Sequence, residues 1–306
     1  MLTYEFIDPE EQISSKDFQL VESFLKATSR TQIGWHYITD ITWIYSRVKH
    51  WPRNLKILDA GGGNGPVQFL LAEMGFNVTN VDMALSQPST FYKRRYQAQL
   101  QVLPSFAPTE YKDLIAPSVD KSSAIKLVKK SLKDNSIFQF LNVKKNTFCH
   151  ERWRAKVELH KESIGEINWY VGNLCYMPEL ASSSFDAVVS LSAWEHIPLN
   201  SLDAALNEIR RVLKPDMRWA VTTSGTEQQS TWLHEPSQGY CFSVTELENR
   251  FGANTTKNQN PEGVLHKYHQ CSYLKDHLAS FYKTSGKFGM PWGVWNPKYI
   301  PVGLSQ

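Results

Sequence analysis

Ile57-Leu58-Asp59-Ala60-Gly61-Gly62-Gly63-Asn64-Gly65-Pro66 is an apolar strand pattern that ends in an acid and breaks into glycines at 61, 63 and 65. A helical pattern, Val67–Met74, follows at once. Glycines at such a junction let the backbone take positive φ and approach a ligand closely, while the helix N-terminus presents unpaired N–H groups. A dinucleotide fold would carry G-x-G-x-x-G, but the sixth position from Gly61 is Pro66. No Gly-Lys-Ser/Thr follows to make a phosphate loop. What stands is D-x-G-x-G-x-G.

Further strand-type runs, each bounded by turns, lie at Leu55–Asp59, Asn77–Asp82, Ile167–Val171, Phe185–Leu191 and Trp219–Thr223. A second helical pattern, Leu202–Leu213, separates the last two. Strands alternating with helices predict a parallel sheet covered on both faces. The first fifty residues read as helices, with Phe18, Val21, Phe24 and Leu25 on one face and Ile38, Ile41, Ile44 and Val48 on another. Ser243–Phe251 reads as a helix capped by Ser243 or Thr245, and Val264–Tyr268 and Tyr299–Val302 read as late strands.

Apolar residues make up 42% of the 306-residue chain and charged residues 21%, which excludes a disordered chain, a collagen-like fibre and a disulfide-stapled miniprotein. Cys149, Cys175, Cys241 and Cys271 form no CxxC pair. With no secretory start and no apolar run of the ~20 residues a membrane span needs, they read as reduced thiols, and a cytoplasmic location is expected. The net charge of +3 is too mild to imply nucleic acid. It is also unevenly spread. The 84 residues from Met83 to Glu166, far more than one crossover needs, carry 15 Lys and Arg against 8 Asp and Glu.

The glycine stretch resembles the first motif of the class I S-adenosylmethionine-dependent methyltransferases. Asp82 closes the second strand, where an acid accepts both hydroxyls of an adenosine ribose. Val171-Gly172-Asn173-Leu174-Cys175-Tyr176-Met177-Pro178, then Phe185-Asp186-Ala187-Val188-Val189-Ser190, resembles the family's small-molecule (type 11, UbiE-like) branch. Asn173 stands where the family has Asp, and its amide oxygen can accept the same bond from an adenine amino group. Glu208-Ile-Arg-Arg-Val-Leu213-Lys214-Pro215 is similar to the helix that leads into the fifth strand. The resemblance covers roughly residues 53 to 225. It implies a Rossmann-like α/β fold, with a seven-stranded mostly parallel sheet, helices on both faces and an antiparallel last strand. A helical N-terminal cap (1–52), a core (53–225) holding an insertion or lid (87–163), and C-terminal strands and covering (226–306) would make one domain.

The resemblance implies S-adenosylmethionine as cofactor, with Asp59, Gly61, Gly63, Gly65, Asp82, Met83, Asn173, Leu174 and Leu191 around it. Methyl transfer asks for an aligned nucleophile and removal of its proton. His196, in Ser192-Ala193-Trp194-Glu195-His196, matches a His common in the branch, either as base or as an orienting residue; Glu195 is a second candidate. Gln32, Trp35, His36 and Tyr37 are candidates for substrate contact or for packing. Arg94 and Arg95, after Phe91-Tyr92, are expected to bind an anionic acceptor beneath the insertion; Lys126, Lys129, Lys130 and Lys133 fit a solvated helical face.

His266, His269, Cys271 and His277 lack a metal spacing, so no metal is expected. Asn296-Pro297-Lys298-Tyr299 is similar to the Asn-Pro-Pro-Tyr loop of nucleic-acid amino methyltransferases but stands in the tail, whereas that loop follows the fourth strand. The sequence therefore points to methyl transfer to an oxygen or nitrogen of a small, anionic metabolite. An RNA or protein methyltransferase docking through the basic insertion, and a non-catalytic cofactor-binding protein, are the alternatives.

Overall fold

The computed structural model describes residues 1–106, 136–159, 163–255, 260–284 and 288–306, with the backbone alone for 136–142. Its strands are β1 (Thr3–Phe6), β2 (Lys56–Ala60), β3 (Asn77–Asp82), β4 (Gln99–Val102), β5 (Ile167–Val171), β6 (Phe185–Leu191), β7 (Leu213–Gly225), β8 (Trp232–His234), β9 (Gly239–Cys241), β10 (Asn254–Thr255) and β11 (Ile300–Ser305). β8 and β9 form a small antiparallel ribbon, and the others form one sheet in the order β10-β1-β11-β7-β6-β2-β3-β5-β4. β2 to β7 run parallel, and β11 is antiparallel to both β7 and β1.

The sheet has nine strands, against the seven expected. The N-terminal residues expected to be helical begin with β1, which inserts between β11 and β10, and β4 extends the opposite edge. Val264–Tyr268, expected as a strand, lies in the helix Pro261–Gln270. Asn260 caps that helix by accepting from the Glu262 N–H, and Pro261 opens it with no N–H to satisfy.

Buried parallel strands alternate their side chains between two covered faces. Ile57, Ala187, Val189 and Ala220 face a core shared with Phe24, Ile41, Ile44 and Phe69. Leu58, Val188 and Val221 face a second core, closed by Leu202, Leu206, Ile209 and Val212 of the helix Leu199–Val212. The helices Lys16–Ala27, Tyr37–Val48 and Val67–Glu73 cover the first face.

The described part of the insertion also packs on the first face. Trp153, in the helix Ser136–Lys156, meets Phe24 edge-on at 4.9 Å and donates its indole N–H to Ser23 Oγ at 3.1 Å. At its foot lies the fully buried carboxylate of Glu73. It accepts from Arg95 Nε (2.5 Å) and the Tyr96 hydroxyl (2.7 Å), and it lies 2.7 Å from His150 Nδ1. Arg154 adds a fourth polar partner at 3.3 Å. Burial alone would raise the Glu73 pKa, but His150 and Arg95 hold it down at about 2. Lys126, Lys129, Lys130 and Lys133 lie outside the described residues. No described helix is long and apolar enough to cross a membrane.

Candidate active site

In an open α/β sheet the ligand crevice lies at the carboxyl ends of the strands, where the strand order reverses. Here that point is β2, from which the chain runs out through β3 and later returns through β6. A cavity of about 990 Å³ opens there. Its walls include the glycine loop after β2, Asp82 and Met83 at the end of β3, Leu191 and Ser192 at β6, and Ser224 in β7. The segment from Ser29 to Tyr37 closes one side.

The glycine loop is tied down from several sides. Gly61 (φ +83°) and Gly63 (φ +50°) take the left-handed region, which favours glycine. A side chain at Gly62 would lie 2.1 Å from Asp59 Oδ2, so this glycine is required by the acid itself. The Gly63 carbonyl accepts from Asn80 Nδ2 at 2.7 Å and Gln68 Nε2 at 3.0 Å. Asp82 accepts the N–H groups of Gly63 (2.9 Å) and Ala84 (2.7 Å), and burial raises its pKa.

Asp59 is buried, and among the described residues neither carboxylate oxygen has a hydrogen-bond partner. Burial, with the Asp82 charge beside it, pushes its pKa up to about 8. An orphaned buried acid in a cavity wall is costly unless a ligand supplies a donor. S-adenosylmethionine fits this set: its ammonium would answer Asp59, its ribose hydroxyls would answer Asp82, and its chain could approach a loop held open by Gly61 and Gly63. Gly65, Leu174 and Leu191 also line the wall.

Another part of the cavity wall is built from segments distant in sequence. His196 ends a short 3-10 helix, Trp194–His196, and its Nδ1 lies 3.1 Å from the Gln238 carbonyl in the β8–β9 turn. A carbonyl only accepts, so Nδ1 carries the proton and Nε2 keeps a lone pair. Glu195 is buried and accepts from Thr223 Oγ1 (3.1 Å) and Ser224 Oγ (3.0 Å). His36, also buried, places Nδ1 2.9 Å from Asp40 Oδ2 and Nε2 3.3 Å from the Tyr299 hydroxyl. Ser192, held at φ +44°, donates to the same Asp40 oxygen at 2.9 Å. Burial, then the Glu195 and Asp40 charges, raises Tyr37 far above the ordinary phenol range.

Gln32, His36, Tyr37, Glu195 and His196 therefore meet in one cavity, with Gln32 Oε1 engaged by Ser280. Two expectations fail, and Trp35 takes the packing alternative. The Asn173 side chain is not part of the cavity wall; its oxygen accepts the Cys175 N–H at 2.9 Å and closes its own turn. Trp35 is buried behind the cavity, its indole N–H donated to Tyr299 at 3.1 Å. Arg94 is exposed and Arg95 is bound to Glu73 and Glu151, so neither reaches the cavity.

The sequence reading missed Asp40, Ser192 and Tyr299 as site residues. Asp40 was legible, four residues past His36 on one helix face. It also missed Arg30, whose guanidinium donates to the Asn64 carbonyl at 2.6 Å beside the glycine loop.

A family model described as a methyltransferase domain matches residues 123–220, about a third of the chain and entirely C-terminal to the glycine loop. No curated protein matches. Among solved structures, the chain is similar to 1,6-didemethyltoxoflavin-N1-methyltransferase of Burkholderia thailandensis, with 14% identity over 97% of this chain and 89% of that one, TM-score 0.42. It is also similar to the (4+2)-cyclase SpnF, with 10% identity over 99% and 97%, TM-score 0.47. A third is an S-adenosylmethionine-dependent methyltransferase of Methanosarcina mazei, with 14% identity over 85% and 96%, TM-score 0.39. At these values the three likenesses do not bear on the assignment. Residues 123–220 thus match a methyltransferase domain, and the sheet carries the cavity at the carboxyl ends of its parallel strands.

Proposed function

We propose that this enzyme transfers the methyl group of S-adenosylmethionine to an oxygen or nitrogen of a small molecule. The observation that carries the reading is the single cavity whose wall holds Asp59, Asp82 and the glycine loop together with His196 and Glu195. Bound S-adenosylmethionine supplies a methyl already activated on a sulfonium. The chain has to orient the acceptor and take its proton. His196 suits that work because the Gln238 carbonyl fixes its tautomer and leaves Nε2 able to accept a proton. Asp59, Gly61, Gly63, Gly65, Asp82, Met83, Leu174 and Leu191 hold the cofactor; Gln32, His36 and Tyr37 face the acceptor. The anionic acceptor expected from Arg94 and Arg95 is not carried forward, since Arg95 is committed to Glu73.

The test is incorporation of labelled methyl from S-adenosylmethionine in cell extract, fractionated into small molecules, RNA and protein. Label in the small-molecule fraction is expected. Label confined to RNA or protein would favour docking through the basic insertion, and binding without incorporation would favour a non-catalytic protein.

A further inference from the structure

The acceptor end of the cavity has an unusual balance of charge. Glu195 is 3% exposed, and its partners are two hydroxyls. Among the described residues no cation pairs with it. Arg30 is the only Lys or Arg in the described wall, and its guanidinium is bound to the Asn64 carbonyl. A buried carboxylate held by hydroxyls alone keeps a lone pair on each oxygen for a further donor. The same wall is aromatic. Phe281 stacks at a tilt on Tyr282 (4.4 Å between centroids) and meets Phe288 edge-on (5.6 Å), with Tyr37 and Tyr299 opposite in chain origin but in the same cavity. Aromatic faces that share a cavity wall with a carboxylate can together hold a cationic nitrogen, since both the rings and the charge attract it.

We propose that the acceptor is an amine, its nitrogen bound as an ammonium or N–H donor against Glu195 and its body against Phe281, Tyr282 and Phe288. This rests on the methyltransferase reading and narrows it from oxygen or nitrogen to nitrogen. The ammonium first gives a proton to His196 Nε2, which passes it to solvent from its exposed position. The freed lone pair then forms the N–C bond as the S–C bond breaks, leaving a neutral thioether and an N-methyl ammonium.

The experiment is calorimetric titration of the full chain, saturated with S-adenosylhomocysteine, with benzylamine, benzyl alcohol and benzoate. Benzylamine is expected to bind at least tenfold more tightly than either of the others. Glu195→Gln should remove that tenfold preference while leaving S-adenosylhomocysteine and benzyl alcohol unchanged. Equal binding of the three, preference for benzoate, or no benzylamine binding would overturn the proposal. So would a Glu195→Gln chain that weakens S-adenosylmethionine alone, which would assign the carboxylate to the sulfonium. The preference is read on the unaltered chain, so a variant that fails to fold leaves the test intact. Failure of S-adenosylhomocysteine itself to bind would instead sink the cofactor reading.

Discussion

Asp82 Oδ2 accepts the backbone N–H of Gly63 at 2.9 Å, so the acid that ends β3 and the glycine loop after β2 form one unit. Its other oxygen accepts from the Ala84 N–H at 2.7 Å. In Asp82→Asn an amide NH₂ must face one of these two donors, and the cofactor loses a charged acceptor. Affinity for S-adenosylhomocysteine should fall by about 1–3 kcal/mol, roughly fivefold to 150-fold. Unchanged affinity would make Asp82 a loop carboxylate only.

Asp59 binds a proton more strongly in the folded chain than unfolded, its pKa raised from 3.8 to about 8. Its contribution to the stability of the ligand-free protein therefore falls as pH rises between those values. A cofactor ammonium at Asp59 ionises it, so binding near neutral pH should release close to one proton, on the order of the linkage expected for one group. Titrations in buffers of different ionisation enthalpy measure this. Release should vanish in Asp59→Asn, and no release in the unaltered protein would contradict the assignment.

Glu73 has the opposite sign. Its pKa is lowered from 4.5 to about 2, so its stabilisation is present above 4.5 and is lost as pH falls toward 2. Glu73→Gln leaves Arg95 and Arg154 near a neutral group in a buried site, and should cost about 3–5 kcal/mol by denaturant titration. A cost below about 1 kcal/mol, the surface-pair range, would show that the network contributes little.

His196→Ala should lower turnover by roughly a hundredfold or more while cofactor affinity is nearly kept. The rise of rate with pH should flatten in the same variant. A pH profile that the substitution leaves unchanged would give His196 an orienting role.

The central strands were legible because they are buried on both faces. Asn77–Asp82, Ile167–Val171 and Phe185–Leu191 are short runs rich in apolar or β-branched residues, and the strands have these same bounds. The edge strands β4 and β10, and the four-residue β1 beside β10, were missed because they are short and mixed in polarity; Gln99-Leu-Gln-Val102 has no run to read. Pro261–Gln270 was misread because Val264 and Tyr268 suit a strand as well as a helix face, although Asn260-Pro261 carried a start signal. At the site, the glycine loop and Asp82 are local in sequence and could be found. Tyr299 joins His36 across 263 residues, and Glu195 finds its hydroxyls on β7, so only the fold brings those groups together. The basic insertion misled for a related reason: the partner of Arg95 is Glu73, 22 positions earlier and invisible to charge counting.

The most direct test of the cofactor site is calorimetric titration of S-adenosylhomocysteine into the unaltered chain and into Gly63→Val. Gly63 sits at φ +50° on the cavity wall, where a branched side chain is strained and would stand in the ligand's path. The account predicts one site per chain in the unaltered protein and no measurable binding in a Gly63→Val chain whose circular dichroism is unchanged. Equal affinity in the two proteins would contradict it.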